Sequence, residues 1–533
     1  MEEPKTSSPN RPPASLLRSG STLSILTLAS RLLGLVREMV KASLLGTTAL
    51  ADAFAVAFML PNLFRRLFAE GSIAVAFIPT FKEYLLAGDK AKNREFLSCI
   101  FTFLTFIVTL AVMAGILVAP LAVRIFGLEE FDEAVVLTRI MFPFLGFISI
   151  AALLQGILNS LHIFAPSGLA PIVLNIVTIL FALALSPHTE NPARALAYGV
   201  LLGGFMGTAL QLPFVIKNRQ RFFFTGLKRA FANPGTRKVL RLVGPTIIGM
   251  AAYQLNDLVS TALAGNAGEG VVSSLQYSLR LQELILGVFA VSIGTVLLPN
   301  LAEYAKSHQW KNFNERLISA MDIIALVTIP ITFFSLAQGE VLIRLIYQSS
   351  AFDEISVLLT LSAFTFHMPG LFFIALNRIL APAFYAQSNS KSPTLAGIFS
   401  FATNILLAAI LVRNFQGAGI ALALSIASAV NTILLLAFLG KNPQIAVGRA
   451  LASALLYTLK LSLLSAIAVI PVLLLSPLLL EAFAGRGRIF SFGVPLTVNA
   501  IVFAMLGIGL LVVTKDRQFK GLVNAVRRRR NSP

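Results

Sequence analysis

From residue 20 to residue 514 the chain consists of apolar runs about as long as a bilayer is thick. A helix needs about 20 residues to cross the hydrocarbon core. A chain that repeats that length must pair its backbone groups internally, which makes it helical. The runs fall near 20–45, 49–83, 96–124, 134–159, 166–186, 194–216, 239–264, 271–303, 316–338, 355–385, 393–412, 417–439, 450–475 and 490–514. The fold class that follows is an all-α polytopic membrane protein with about 14 transmembrane helices. Only 13% of the residues are charged, against about 25% in a soluble domain.

The net charge of +19 needs an account before it is given a function. With the N-terminus inside, the inner segments are the tail 1–19, the links near 82–95, 160–165, 217–241, 303–316, 387–392 and 440–449, and the tail 515–533. Of the 43 Lys and Arg, 28 fall in these segments and six in the outer loops, which carry acids instead, as in GLEEFDE (127–133). Such a bias orients the chain with both ends cytoplasmic. It also explains the basic loop 217–241 and RRRR (527–530) as charges retained at an anionic leaflet, with no nucleic-acid partner required. Within 217–241, RFFFTGLKRAF reads as a basic amphipathic segment on the inner surface. Residues 1–19 are a polar tail without the apolar core of a cleaved signal, so the first apolar helix is the expected anchor. Cys99 is the single cysteine, which excludes an internal disulfide.

A repeat lies inside the pattern. SIAVAFIPTFKEY (72–84) and SIGTVLLPNLAEY (292–304) share Ser, Ile, Pro, Glu and Tyr at an offset of 220. Weaker echoes follow in GILNS (156–160) against RILAP (378–382), and in LNI (174–176) against TNI (403–405). Two six-helix lobes, 20–216 and 239–440, account for these. An even number of helices gives both lobes the same orientation, related by a pseudo-two-fold along the membrane normal. The two extra C-terminal helices, 450–514, stand outside the repeat.

The remaining basic residues lie within the spans, where an Arg costs roughly 2.5–3.5 kcal/mol at the bilayer centre. Arg31, Arg37 and Glu38 are in helix one, Asp52, Arg65, Arg66 and Glu70 in helix two, Arg280 and Glu283 in helix eight, and Arg378 in helix ten. Four arginines facing lipid would cost about 10 kcal/mol, comparable to the net stability of a fold. They are therefore expected to face a watery cleft, a counter-ion or a ligand. Arg66 and Glu70 have the spacing of a helical ion pair. Lys41, Arg139 and Lys460 sit near helix ends and are expected to snorkel. Gly287 and Gly294 are expected to let helix eight bend. Among the candidate charges of helices one, two, eight and ten, arginines outnumber acids six to four, and the guanidinium fork of Arg31, Arg37, Arg65 and Arg280 suits phosphate, so an anionic substrate is expected. Enzyme chemistry is not expected: the four histidines are scattered at loops or helix ends, and no metal-ligand spacing, phosphate loop or nucleophile elbow is present. Asp257, after Asn256 in helix seven, could hold a cation or proton with Asn404 of helix eleven, or cap a local hydrogen-bond network.

The motifs SRLLGLVRE (30–38), DAFAVAFMLPNLFRRLFAEGSIAVAFIPTFKEY (52–84) and LAPAFYAQSNSKSP (380–393) resemble the MurJ (MviN) family of bacterial lipid II flippases, within the multidrug and oligosaccharidyl-lipid exporter superfamily. The resemblance runs from about residue 20 to 515. It implies two six-helix lobes plus two extra helices, a location in the bacterial cytoplasmic membrane, and alternating access. It assigns Arg31, Arg37, Arg65 and Arg280 as the cavity cations, with Glu38, Asp52, Arg66, Glu70 and Glu283 as surrounding charges. Some members carry an acid just before the helix-eight arginine. Here Leu279 stands there, so Arg280 must find Glu38, Glu283 or the substrate. A family sodium site maps loosely onto Asp257 and Asn404.

The implied substrate is lipid II, a polyprenyl diphosphate bearing a disaccharide-pentapeptide. Its diphosphate would sit on the four arginines and its tail in an apolar groove built by 450–514. No cofactor is implied beyond sodium or proton coupling and the membrane potential, which favours outward passage of an anionic headgroup by about 2.3 kcal/mol per charge per 100 mV. The other expected partners are membrane lipids and cell-wall synthesis proteins. Two alternatives stay open: a flippase for another polyprenyl-diphosphate-linked oligosaccharide, and a cation-coupled drug exporter, whose cleft should favour acids and aromatics over arginine.

Overall fold

The computed structural model describes residues 14–66 and 72–530, and among these residues helices lie in every one of the expected spanning segments. Among the described residues eight helices are long and apolar enough to cross a membrane, or nine when a bent pair is taken as one span. The chain resolves into two units. The first takes the described residues up to Leu44, with Ala53–Ile125 and Glu130–Gln254, and the second takes Leu45–Asp52, Phe126–Glu129 and Leu255 onward.

The first unit is built from α1 (Ala14–Leu45) as far as Leu44, α2 (Ala49–Arg65) from Ala53 on, α3 (Ser72–Leu86), α4 (Lys90–Arg124), α5 (Phe131–Met141), α6 (Phe144–Ser160), α7 (Ala165–Leu185), α8 (Pro192–Lys217), α9 (Leu227–Ala232) and the first part of α10 (Pro234–Gly265). Helix α1 begins at Ala14, inside the expected polar tail, because ASLLRS continues the helical run. Helices α7 and α8 pack backbone to backbone. Gly199, Gly203 and Gly207 form a small-residue stripe at four-residue spacing, and a Cβ on Gly203 would lie 2.8 Å from the Leu174 carbonyl. Close approach of this kind drives helix association in lipid, where there is no hydrophobic push. The repeated motif forms much of α3, whose Phe77 and Phe81 stack at 5.2 Å. Its Tyr84 stacks on Phe96 of α4 at 4.5 Å.

The loop 217–241 is not one amphipathic helix. Residues 220–226 are non-helical, and α9 has six residues. The Phe223 and Thr225 N–H groups donate to Ser98 Oγ and Thr102 Oγ1, one turn apart on α4. This pins an extended segment along α4 in preference to a helix, and the Phe222 and Phe224 rings then pack at a tilt against Phe101.

The second unit contains the rest of α10, α11 (Val271–Lys306), α12 (Trp310–Tyr347), α13 (Glu354–His367), α14 (Gly370–Tyr385), α15 (Lys391–Leu439), α16 (Val447–Ala482), α17 (Val494–Val513) and α18 (Arg517–Arg530). Helices α13 and α14 form the bent pair, at 47°, and Pro369 lies between them. Expected spans 393–412 and 417–439 run together as α15, broken only at Gln416 (φ 45°). Gly287 and Gly294 do not interrupt α11, which stays helical throughout. The two extra helices pack on α12. Phe503 of α17 meets Phe334 at 5.3 Å, and Asn499 donates to Gln338 at 3.1 Å. The outer face of α16 shows Leu456, Leu463, Ile470 and Leu474, each more than half exposed. The tail 515–533, read as a basic tail, contains the helix α18.

Candidate functional site

Three of the four candidate cations belong to the first unit. Arg31 lies mid-way along α1, partly buried, with no ion pair among the described residues. Two turns on, Arg37 Nη2 meets Glu38 Oε1 at 2.9 Å and its guanidinium lies 5.7 Å from the centre of the Phe58 ring. Glu38 also takes Lys41 Nζ at 2.7 Å. Lys41 is 6% exposed, so it does not snorkel. An unpaired ammonium at that depth would be costly, and the Glu38 carboxylate one turn away offsets its charge. In α2, Arg65 Nε donates to Asn62 Oδ1 at 2.7 Å. Pro61 lies just before them, inside the same helix. Arg66 is partly buried, and the expected Arg66–Glu70 pair lies outside the described residues because Glu70 does.

Asp52 is placed differently from the other expected cavity charges. It belongs to the second unit with the turn Leu45–Asp52. Its Oδ2 accepts from Gly270 N at 2.8 Å and its Oδ1 from Ser273 N at 2.7 Å. The carboxylate, 3% exposed, thus caps the start of α11, satisfying N–H groups that a helix terminus leaves open and opposing the helix dipole. The same turn is held by Tyr277 OH donating to the Gly46 carbonyl at 3.1 Å, by Glu269 accepting from Ala49 N at 2.9 Å, and by Ser356 Oγ accepting from Thr47 N at 3.2 Å. The Ser356 N–H in turn holds the Asp353 carboxyl below the usual carboxylate range.

Helix α11 carries Arg280, partly buried, which reaches the exposed Glu283 at 3.4 Å. Glu283 is therefore the weak local partner that Leu279 does not supply. The opposite side of α11 is fixed by residues the sequence reading passed over. Ser278 Oγ lies 2.6 Å from His367 Nδ1, and Gln282 Nε2 donates to the His367 carbonyl. All three are buried. His367 is the last residue of α13, so the bend before α14 is tied to the rotation of α11. Spacing alone offers a signal: Ser278 and Gln282 flank Arg280 by two residues on either side and share the other helical face. Replacing Ser278 with Ala leaves a buried ring nitrogen unpaired and is expected to cost about 1–3 kcal/mol. Glu283→Gln, at an exposed 3.4 Å pair, should change stability by less than about 0.5 kcal/mol. Thermal unfolding of the two variants in detergent checks the contrast.

The remaining candidates are separate. Arg378 of α14 is exposed, without an ion pair among the described residues. Asn404 Nδ2 donates to Asn256 Oδ1 at 2.8 Å and to Ser260 Oγ at 3.1 Å. Its Oδ1 is buried with no hydrogen-bond partner. The polar cluster on α10 and α15 is thus centred on Asn256, Ser260 and Asn404, with Asp257 next in sequence. Among the described residues no group of three His, Cys, Asp or Glu is arranged to hold a metal ion.

Residues 41–485 match the family profile described as "Lipid II flippase MurJ". The chain is 45% identical over 509 residues to a probable lipid II flippase MurJ of Treponema pallidum, covering 94% of this chain and 97% of that one. It is 34% identical over 433 residues to the corresponding protein of Vibrio cholerae, covering 79% and 82%. Among solved structures it is similar to "Lipid II flippase MurJ, inward closed conformation", with TM-score 0.75, 26% identity, and 93% and 99% of the two chains covered. An inward-facing multidrug resistance MATE transporter shares the fold at TM-score 0.65 and 14% identity, covering 80% and 99%.

Proposed function

The chain belongs to the MurJ family of lipid II flippases, a transporter family, and on that premise we propose that it carries lipid II from the inner to the outer leaflet of the bacterial cytoplasmic membrane, with its N- and C-termini on the inner side. The observation that carries the reading for this chain is Arg31, a partly buried guanidinium on a helix through the membrane with no ion pair among the described residues. A charge held there without a counter-ion is expensive unless a ligand or water receives it. Arg37 and Arg65 share its unit and Arg280 stands on the second; each offers a guanidinium fork that matches two phosphate oxygens at once. Glu38, shared between Arg37 and Lys41, keeps the local charge from accumulating.

Transport proceeds by alternating access, and the membrane potential favours outward movement of the anionic headgroup. The apolar outer face of α16 suits a polyprenyl chain that cannot enter a charged cavity. Asn404 Oδ1, buried without a hydrogen-bond partner, is the oxygen that a coupling sodium ion would use, while Asn256 Oδ1 and Ser260 Oγ accept from the Asn404 amide and hold it in place. A drug exporter is the poorer reading, since the candidate charges of helices one, two, eight and ten include more arginines than acids.

Rescue of a bacterium depleted of its own lipid II flippase tests the substrate. Expression of this chain should restore growth and cell shape. Failure of the correctly inserted chain, with outer-leaflet lipid II absent, would redirect the assignment to another lipid-linked glycan.

A further inference from the structure

The charges of the C-terminal segment are not used by the flipping mechanism, and they lie on a helix whose start is fastened to the rest of the second unit. Helix α18 has 14 residues, RQFKGLVNAVRRRR, with six cations and no acid. Phe519, Leu522, Val523 and Val526 recur at the spacing of a single helical face. The helix starts three residues after the last apolar span. Its first turn is fastened. Asp516, 2% exposed, caps it by accepting from Phe519 N at 3.0 Å. The same carboxylate takes Lys460 Nζ and, at 3.0 Å, Tyr457 OH, both on α16. Gln518 donates to Asp322 Oδ2 of α12 at 2.9 Å. Lys460 is therefore a partner in a latch and does not snorkel as expected from its place near a helix end.

A short helix with an apolar stripe, several cations and a fixed start just beyond a membrane span has the form of a segment lying in the headgroup layer. A soluble acidic partner would need the cations but not the stripe. We propose that α18 is an inner-leaflet docking element: it lies along the membrane surface with its apolar stripe toward the acyl chains, and it gathers anionic phospholipid headgroups around the foot of α16 and α17. The Asp516–Lys460–Tyr457 and Gln518–Asp322 contacts hold it to the helices it follows. The inference rests on reading the C-terminus as cytoplasmic and is independent of the transported substrate.

Fluorescence quenching by brominated lipids tests it on the full chain, in vesicles that contain no lipid II. The chain has one tryptophan, Trp310. The signal added by Val523→Trp over the parent is read in equal mixtures of phosphatidylglycerol and phosphatidylcholine, with one or the other brominated. Brominated phosphatidylglycerol should quench the added signal at least about twofold more strongly. The excess should vanish at high salt, and also when Arg527, Arg528, Arg529 and Arg530 are all replaced by Gln. Equal quenching by the two lipids would overturn the headgroup preference. Quenching by neither would place the helix away from the bilayer and overturn the proposal in favour of an aqueous partner.

Discussion

Alanine at Arg31, Arg37, Arg65 or Arg280 is expected to abolish rescue of a flippase-depleted bacterium while leaving the membrane level of the protein near that of the parent. The magnitude follows from the contact each would lose. A charge-assisted hydrogen bond contributes about 1.5–3 kcal/mol, so each variant should lose roughly ten- to a hundredfold in affinity for a diphosphate. The split between function and folding should be cleanest at Arg31, because removing it breaks no ion pair among the described residues. Arg37→Ala leaves Glu38 still paired with Lys41, so this variant too should fold. Lysine substitutions should recover only part of the loss, since an ammonium keeps the charge without the fork. Quantitative rescue and immunoblotting of the membrane fraction separate the outcomes. Full rescue by all four alanine variants would make the arginines structural.

The largest effect on stability is expected at two glycines of the second unit. Gly46 has φ +58° and a Cβ there would lie 2.0 Å from the Ala351 carbonyl oxygen. Gly270 has φ +78° and its Cβ would lie 2.3 Å from the Thr47 carbonyl oxygen. Each obstacle is backbone, so neither can swing aside, and both positions also impose left-handed strain on any other residue. Moving these segments apart would uncouple Asp52 from the Gly270 and Ser273 N–H groups it caps. Gly46→Ala and Gly270→Ala should each lose about 3 kcal/mol or more. Gly88→Ala is the control: φ is +71° but nothing lies within 4 Å, so only the conformational strain of about 1–2 kcal/mol remains. Thermal unfolding in detergent should rank Gly88→Ala well above the other two. Equal midpoints would show that the turn 45–52 gives way without resistance.

Much of the fold was legible because hydrophobic length is a one-dimensional signal: among the described residues helices lie in all the apolar runs, and the repeated SIxxxxxPxxxEY motif lies in helices both times. What stayed hidden was pairing over long sequence separations. Nothing local marks Asp52 as the cap of a helix whose first turn lies 218 residues away. Lys460 and Asp516 are 56 residues apart, and from spacing alone a lysine near a helix end reads as snorkelling. Lys41 was misread for a different reason. Its partner Glu38 was in view, but hydropathy does not show that the site is closed to water. In the loop 217–241 the extended stretch was hidden for the same reason as the Asp52 cap, since its Phe223 and Thr225 N–H groups find Ser98 and Thr102, 125 and 123 residues away. At the site, the arginines declared themselves by their cost in hydrocarbon. The Ser278–His367–Gln282 brace did not, since neutral polar residues cost little until the partner that satisfies them is known.

The most direct test of the central claim is equilibrium binding of lipid II to the purified chain, with undecaprenyl diphosphate and undecaprenol as competitors. The diphosphate should compete and the alcohol should not, and Arg31→Ala and Arg280→Ala should each weaken lipid II binding by about tenfold or more. Competition by both compounds alike, with binding unchanged in the arginine variants, would contradict it and show that the tail, not the diphosphate, is what the chain recognises.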